Sequence, residues 1–438
     1  MTVEVLNAAG DVNINDLTLI SMVSGKSLTI TNQVIAIHIF EDLFSPFISG
    51  NLILRESLDL LNNLPLMGQE YLQLNIKTPT LDDSDAIQGL FYVYNVSERA
   101  FIAERNVVYK LNFISYSALN DANIKLSKAF EGKISDIAAK IITNWSGSFD
   151  VKPGNIEPTR NATKYVSNYW SPAKNLSYLS NQAVSTTSSP SYVFFENRQG
   201  FNFKSLASLY SKIVPGPAIN MGTLYPKFNF NMKAREISAD GASTRNIQRD
   251  YSRITSIDFP GGFDTLSKMG RGAYASTLYT HDLVTKQYKE RKFNYQDTFN
   301  STQHLNKFPI TAKSTVATFG PASAILSDEI HFGVYNGYGD ISNSDIMQER
   351  LSILNMADAM KVTVVMPGRT DYTVGQKIFL ELVQPEPLDT KDTIAEEEDK
   401  LFSGYYLIGS INHTIDRERH ECTMELIKDS LLKTADRK

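Results

Sequence analysis

Apolar and polar positions alternate along two separate stretches of the chain, and the alternation is organised the same way in both. In residues 34–119, Val34, Ile35, Ile37 and Ile39 surround His38, and Phe47–Leu54 follows Pro46. Leu72, Leu74 and Ile76 then alternate up to Pro79. A period of two marks strands with one buried face. The stretch ends in a Gly-led strand (Gly89–Val96), a polar turn with Glu98-Arg99 and Glu104-Arg105, and a return strand (Val107–Phe113). In residues 361–432, strands at Lys361–Met366 and Gln376–Val383 lead to Gly404–Ile411, a turn with Arg417-Glu418-Arg419, and the return strand Cys422–Ile427. One β unit is written twice, and the first copy reads as a small antiparallel barrel or closed sheet.

Between the copies the period changes. Ile134, Ile137, Ala138, Ile141 and Ile142 fall at helical spacing, with Ser135 near the start. A second helix begins at Ser171-Pro172, a good N-cap followed by a residue with no N–H to waste, and ends at the Ser185–Pro190 loop. A hairpin spans Tyr192–Phe203 with its turn near Asn197–Gly200. Ile254, Ile257 and Phe259 signal a strand stopped by Pro260-Gly261-Gly262, and Tyr274–Leu278 alternates again. Residues 310–345, rich in Gly, Ser and Asn, hold short strands such as Glu329–Tyr335, followed by a helix at Ile346–Met360. Leu58–Leu64 reads as a helical turn or loop, and Pro385–Lys400 as an acidic loop whose Glu396–Asp399 run is solvated or meets a basic partner. The expected fold class is α+β, mostly β: two similar antiparallel β-barrel domains with an α+β insert between them. The expected segments are 1–118 (first β domain), 119–225 (α+β insert), 226–345 (β-rich middle, partly contributing to the second β domain), 346–432 (second β domain) and 433–438 (tail).

Composition narrows function by exclusion. A chain of 438 residues holds roughly two to four domains. Its single cysteine, Cys422, excludes an internal disulfide and a Cys-only zinc site, and its alternating position suits a buried thiol acting as a small hydrophobe. A net charge of −5 without a basic run disfavours a sequence-specific DNA binder, while like charge suits a passage for nucleic acid. No stretch is apolar enough to span a bilayer, and the N-terminus lacks a basic start and apolar core, so stable membrane insertion is not expected.

Candidate chemistry is sparse. Of six histidines, His413 and His420 lie nearest Cys422, but a zinc site needs three or four convergent ligands and no acidic partner is fixed by the spacing. Gly270-Arg271-Gly272 loosely mimics a dinucleotide loop without the preceding strand, and reads as a turn. No Walker A loop, Gly-x-Ser-x-Gly elbow or His-Glu-x-x-His is present. Glu41-Asp42 reads as a polar turn between strands, and His281-Asp282 lacks a placed nucleophile. Catalytic, cofactor-binding and metal residues are therefore assigned as none, and no cofactor is expected.

Several segments, in order along most of the chain, carry a family likeness. They are Glu41–Leu54 with Leu64–Glu70, Val193–Leu206, Gly272–Thr277 with Asp282 and Lys286, and Val365–Gly368 with Val374-Gly375. Together they resemble the baseplate hub proteins of contractile-tailed, T4-like bacteriophages and related contractile injection systems. The resemblance implies tail-tube-like β domains, no enzyme activity, and a homotrimer joining a six-fold tail tube to a three-fold spike. Three chains with two similar domains each present six quasi-equivalent positions. The implied partners are a spike, the tail tube and other baseplate proteins, with DNA only as passing cargo in a weakly acidic or neutral bore. The implied location is the virion, after assembly in the host cytoplasm. The competing readings are a tail-associated peptidoglycan hydrolase, which would draw on acidic pairs, and a receptor- or carbohydrate-binding tail protein, which would stack sugars on Trp145 or Trp170.

Overall fold

The computed structural model describes residues 6–56, 64–103, 106–145, 153–211, 229–231, 247–282, 286–311, 323–329, 341–382, 399–417 and 419–433. Glu104-Arg105, Glu418, most of the helical turn or loop expected at Leu58–Leu64, most of the acidic loop expected at Pro385–Lys400, and residues 312–322, 330–340 and 434–438 lie outside them.

The first block consists of β1 (Asn13–Ile20), β2 (Ser27–Thr29), β3 (Val34–Asp42), β4 (Ser49–Glu56), β5 (Tyr71–Lys77), β6 (Ile87–Ala103) and β7 (Asn106–Ser115). β5 shows why these segments are strands. Leu72, Leu74 and Ile76 are buried, while Tyr71, Gln73, Asn75 and Lys77 alternate on the opposite face. Each buried Leu or Ile contributes about 1.5–3 kcal/mol, and one cluster gathers them from β1 and β3 to β7. Gly50 on β4 is a notch for its cross-strand partner Phe113, since a Cβ there would lie 2.3 Å from the Phe113 ring.

The insert holds β8 (Ala129–Lys133), β9 (Pro153–Ile156), β10 (Ala162–Val166), β11 (Tyr192–Asn197) and β12 (Gly200–Ser205) around two helices. Helix Ile134–Trp145 buries Ile134, Ile137, Ala138, Ile141, Ile142 and Trp145 on one stripe. Helix Pro172–Gln182 starts at Ser171, whose side chain accepts a hydrogen bond from the Lys174 N–H. β11 and β12 form an antiparallel hairpin closed by the pair Asn197 and Gly200.

The remaining strands are β13 (Asn229–Asn231), β14 (Ser256–Gly262), β15 (Ala275–Asp282), β16 (Gln287–Asn294), β17 (Phe308–Pro309), β18 (Ser323–Glu329), β19 (Met360–Pro367), β20 (Lys377–Glu381), β21 (Gly404–Asp416), β22 (His420–Lys428) and β23 (Ser430–Leu431). Of the strand expected at Glu329–Tyr335, only Glu329 is described, as the last residue of β18, and the rest lies outside the described residues. The helix expected at Ile346–Met360 runs from Asn343 to Ala357. A capping box of Ser342 and Asp345 starts it a turn earlier, and Met360 already belongs to β19.

The fold is mostly β and is dominated by one 13-stranded sheet in the order β14-β19-β22-β21-β3-β4-β7-β6-β5-β1-β2, with β20 and β13 branching from β21. Within it one five-strand order occurs twice. The first block reads β3-β4-β7-β6-β5 and the second β14-β19-β22-β21-β20, with every neighbour antiparallel. The closed barrel expected for each block is not found among the described residues; the strand path stays open, and the blocks fuse edge to edge. The reason lies in β21, which is 13 residues long. Its Gly404–Leu407 half pairs with β20, and its Ser410–Asp416 half, on the same edge, takes β3 from the other block.

Candidate functional site: the junction and the open strand edges

The junction between the blocks is tied by more than its ladder. Arg417 donates from Nε to the Val34 carbonyl (3.0 Å) and from Nη2 to the Asn32 carbonyl (2.7 Å). The Leu43 N–H donates to the Gly409 carbonyl at 2.8 Å. His38 Nδ1 lies 3.2 Å from Thr414 Oγ1 across the seam.

The tip of the β11–β12 hairpin is wedged against this seam and touches both blocks. Arg198 forms an ion pair with Asp85 (3.2 Å), donates to the Ser84 carbonyl (2.6 Å), and gives its backbone N–H to Glu41 (3.2 Å). Asn197 Nδ2 donates to the Val374 carbonyl. Glu41, buried at the end of β3, also accepts from the Val374 N–H (3.1 Å) and the Thr373 hydroxyl. Glu196 accepts from the Ile48 N–H (3.0 Å) and the Ser115 hydroxyl (2.9 Å). Burial pushes the Glu196 carboxyl up to about 7, with Glu41 adding to the shift. Burial also raises Glu41, opposed by the hydrogen bonds it accepts. All four carboxylate oxygens are engaged by donors from three parts of the chain, which is the arrangement of a clamp.

The same strand grammar leaves two edges open. Among the described residues, β6 pairs with β5 over Ile87–Tyr92, with one further bond from the Val93 N–H to the Glu70 carbonyl, while its distal half, out to Ala103, pairs with β7 on one side. The other side of this half corresponds to the part of β21 that receives β3. Tyr94, Phe101 and Ile102 are exposed there at 53%, 69% and 62%. β14 occupies in the second block the place of β3 in the first, and among the described residues it pairs only with β19. Phe259 and Phe263, on and just beyond it, are exposed large hydrophobics. Among the described residues, both edges are unpaired and carry exposed aromatics, and each is the counterpart of a strand buried in the internal seam, the kind of edge that other proteins cover or pair.

The residues singled out in the sequence are placed as follows. Glu41 is in the clamp, whereas Asp42 turns away and caps the next turn by accepting from the Phe44 N–H. His281 and Asp282 are consecutive on β15 and so point to opposite faces. Gly270-Arg271-Gly272 terminates the helix Thr265–Gly270, so a helix and not a strand leads directly into it. Trp145 is buried and stacked on Phe201, and Trp170 is half-buried against Tyr178 and Lys174, which leaves neither as a free sugar platform. His413, His420 and Cys422 do come together: His413 Nδ1 lies 3.0 Å from His420 Nε2 and 3.2 Å from Cys422 Sγ, and His420 Nε2 lies 3.4 Å from that sulfur. Glu196 and Arg198 were not singled out, because a charged pair beside a hairpin turn looks solvated. The signal available was their place within the Val193–Leu206 segment. Among the described residues no helix is long and apolar enough to cross a membrane.

No family model matches the chain. It is similar, at 20% identity over 93% of its own length and 92% of the relative's, to a probable baseplate hub protein, gp334, of Vibrio phage KVP40. Its fold matches that of a tail protein from Neisseria meningitidis MC58 with a TM-score of 0.50 and 9% identity, over 94% of this chain and 96% of the other. It also matches the 43 kDa tail protein of prophage MuSo2 from Shewanella oneidensis, with a TM-score of 0.52 and 8% identity, over 95% and 99%. The resemblance to baseplate hub proteins read from the sequence thus extends over nearly the whole chain, and the fold is that of phage tail proteins.

Proposed function

We propose that this chain is a structural, non-enzymatic component of a phage tail baseplate, a central hub in which three copies form a ring. Such a ring joins a six-fold tail tube to a three-fold spike and leaves a channel for DNA. The observation that carries this reading is the repeated five-strand unit together with its internal seam. Where the first block lends β3 to β21, the second block offers β14, and the first block's β6 stands ready to receive it. Donor and acceptor edges sit on different blocks, so the contact between chains is heterologous and generates a ring if it closes. Three chains then give six like units joined by six like seams, three within chains and three between them. By analogy with Ser410–Asp416 against β3, the partner's β14 lies antiparallel along distal β6, bringing Tyr94 and Phe101 against Ile257–Phe263. An obligate assembly of this kind buries on the order of 2,000–5,000 Å² per pair of chains. The supporting relative is named as a probable baseplate hub protein, and the virion is the corresponding location. The clamp supports the non-enzymatic side of the reading, since donors engage every oxygen of its two carboxylates.

The test is a mass measurement by light scattering on the chain co-expressed with its spike partner. Three copies per complex are expected. A complex holding a single copy removes the ring, and peptidoglycan clearing by the purified chain removes the non-enzymatic assignment.

A further inference from the structure

The cluster at the end of the β21–β22 hairpin is independent of how the chain assembles. His413 on β21 stands directly across from Cys422 on β22, and His420 lies two residues before Cys422 on the same strand and face. His413 and Cys422 are fully buried and His420 is 1% exposed. Their inward atoms form a triangle with sides of 3.0, 3.2 and 3.4 Å. The centre of such a triangle is about 1.9 Å from each corner, so an ion at about 2.0–2.1 Å from nitrogen and 2.3 Å from sulfur sits just off its plane.

The cluster is poorly explained as a hydrogen-bond network. Among the described residues, the outer nitrogen of His420, Nδ1, is buried with no partner, so the polar contacts of that ring are the ones facing His413 and Cys422. The ring is nevertheless held firmly in place. Its backbone N–H donates to the Gly10 carbonyl (2.7 Å) and its carbonyl accepts from the Gly368 N–H (2.8 Å). Gly368 makes room for it, because a Cβ there would lie 2.3 Å from the imidazole.

We propose that His413 Nδ1, His420 Nε2 and Cys422 Sγ are three ligands of a buried structural site for one thiophilic d10 metal ion, zinc(II) or copper(I). On binding, the Cys422 S–H bond breaks, its proton leaves to solvent, and the sulfur electron pair forms the metal bond. Each imidazole donates a nitrogen lone pair and stays neutral. Thiolate and imidazole are the ligand types that select these ions over hard cations. One thiolate with two neutral imidazoles leaves a copper(I) centre uncharged. With zinc(II) one positive charge remains, in the same interior as Glu41 and the Arg369–Asp371 ion pair. Met366, buried and in register with Cys422 on β19, is a soft group on the same face that could approach as a weak fourth ligand. The ion would tie β21 to β22 one pair away from the seam, since His413 also pairs with Ile39 of β3.

The experiment is metal analysis of the full chain, produced without a histidine tag in medium containing both zinc and copper and desalted before measurement. About one equivalent of zinc or of copper per chain is expected, the element identifying the ion. X-ray absorption at that metal's edge is expected to show one sulfur and at least two imidazole nitrogens. Chelation is expected to lower the Tm, and Cys422→Ser to abolish retention. Folded wild-type chain carrying under about a tenth of an equivalent, with a Tm that neither zinc(II) nor anaerobic copper(I) moves, overturns the proposal whether or not the variant folds. Retained metal bound without a sulfur neighbour also overturns it.

Discussion

The two blocks of the sheet share a strand order but spend their connections differently. In the first, six residues (43–48) link β3 to β4; in the second, residues 263–359 stand between the equivalent strands β14 and β19. The first block has a core of Leu, Ile, Val and aromatic side chains and keeps its buried charged groups, Glu41, Glu56 and Glu70, at or beside strand ends. The second buries polar groups at its centre, among them His413, His420, Lys428 and Asp371, and receives the insert hairpin near Val374. The insert hairpin is anchored on both blocks, through Ile48, Ser84, Asp85 and Ser115 of the first and Val374 of the second, so the copies differ in their connections and buried polar groups rather than in which one holds the insert. In the proposed ring the same difference sets the polarity of assembly: β3 is consumed in the internal seam, and β14, its counterpart, would pair with a neighbour.

Four changes break or sharpen this comparison. The largest effect is expected from Phe101→Asp with Ile102→Asp on the open half of β6. Both side chains are exposed in the single chain, so its unfolding free energy should move by no more than about 0.5 kcal/mol per site. Burying two unpaired carboxylates in the ring contact should weaken assembly by at least about 100-fold, read by sedimentation. Equal loss of monomer stability and assembly would mean the edge serves the fold alone. Next is Glu41→Ala, which strands the Arg198 and Val374 N–H groups and the Thr373 hydroxyl at the junction. It should cost about 3–5 kcal/mol in denaturant unfolding. A cost near that of an exposed Glu would show that the clamp does not hold the blocks together.

The third is pH dependence at Glu196. Its carboxyl is raised to about 7 in the folded chain, so the native state binds more protons than the unfolded state between the ordinary carboxylate range and about pH 7. Stability from this group is therefore fully present in acid and declines as pH rises from about 4.5 to 7, by at most roughly 3 kcal/mol. Glu196→Gln should flatten that decline in Tm measured across pH 5–8, and an unchanged slope would remove Glu196 as its source. The smallest is Ser342→Ala, which removes the capping box of the helix Asn343–Ala357 in the long connection of the second block. A loss of about 1 kcal/mol is expected, with assembly unaffected; a change in oligomeric mass would give this connection a role in the ring.

Local pattern carried much of this architecture. The alternation in Leu72, Leu74 and Ile76, the Ser171-Pro172 helix start and the Asn197–Gly200 turn are each decided by a few neighbouring residues, and each is where its residues place it. What the pattern could not supply is pairing between distant strands. Nothing in residues 34–42 or 404–416 taken alone says that β21 is long enough to hold β20 and β3 on one edge, so two closed barrels looked natural where the sheet runs on. The candidate sites divide along the same line. Glu41 and Glu196 are 155 positions apart in sequence and meet only because the hairpin tip reaches the seam. His413, His420 and Cys422 are close in sequence, but their convergence depends on the register of β21 against β22, in which His413 faces Cys422.

The most direct measurement is an electron cryomicroscopy map of the chain assembled with its spike, at a resolution that separates strands. The account expects three copies around the axis, six repeats of the five-strand unit, and β14 of each copy hydrogen-bonded along the distal half of β6 in the next. A map in which β14 faces solvent, or in which copies meet through any surface other than these two edges, contradicts it.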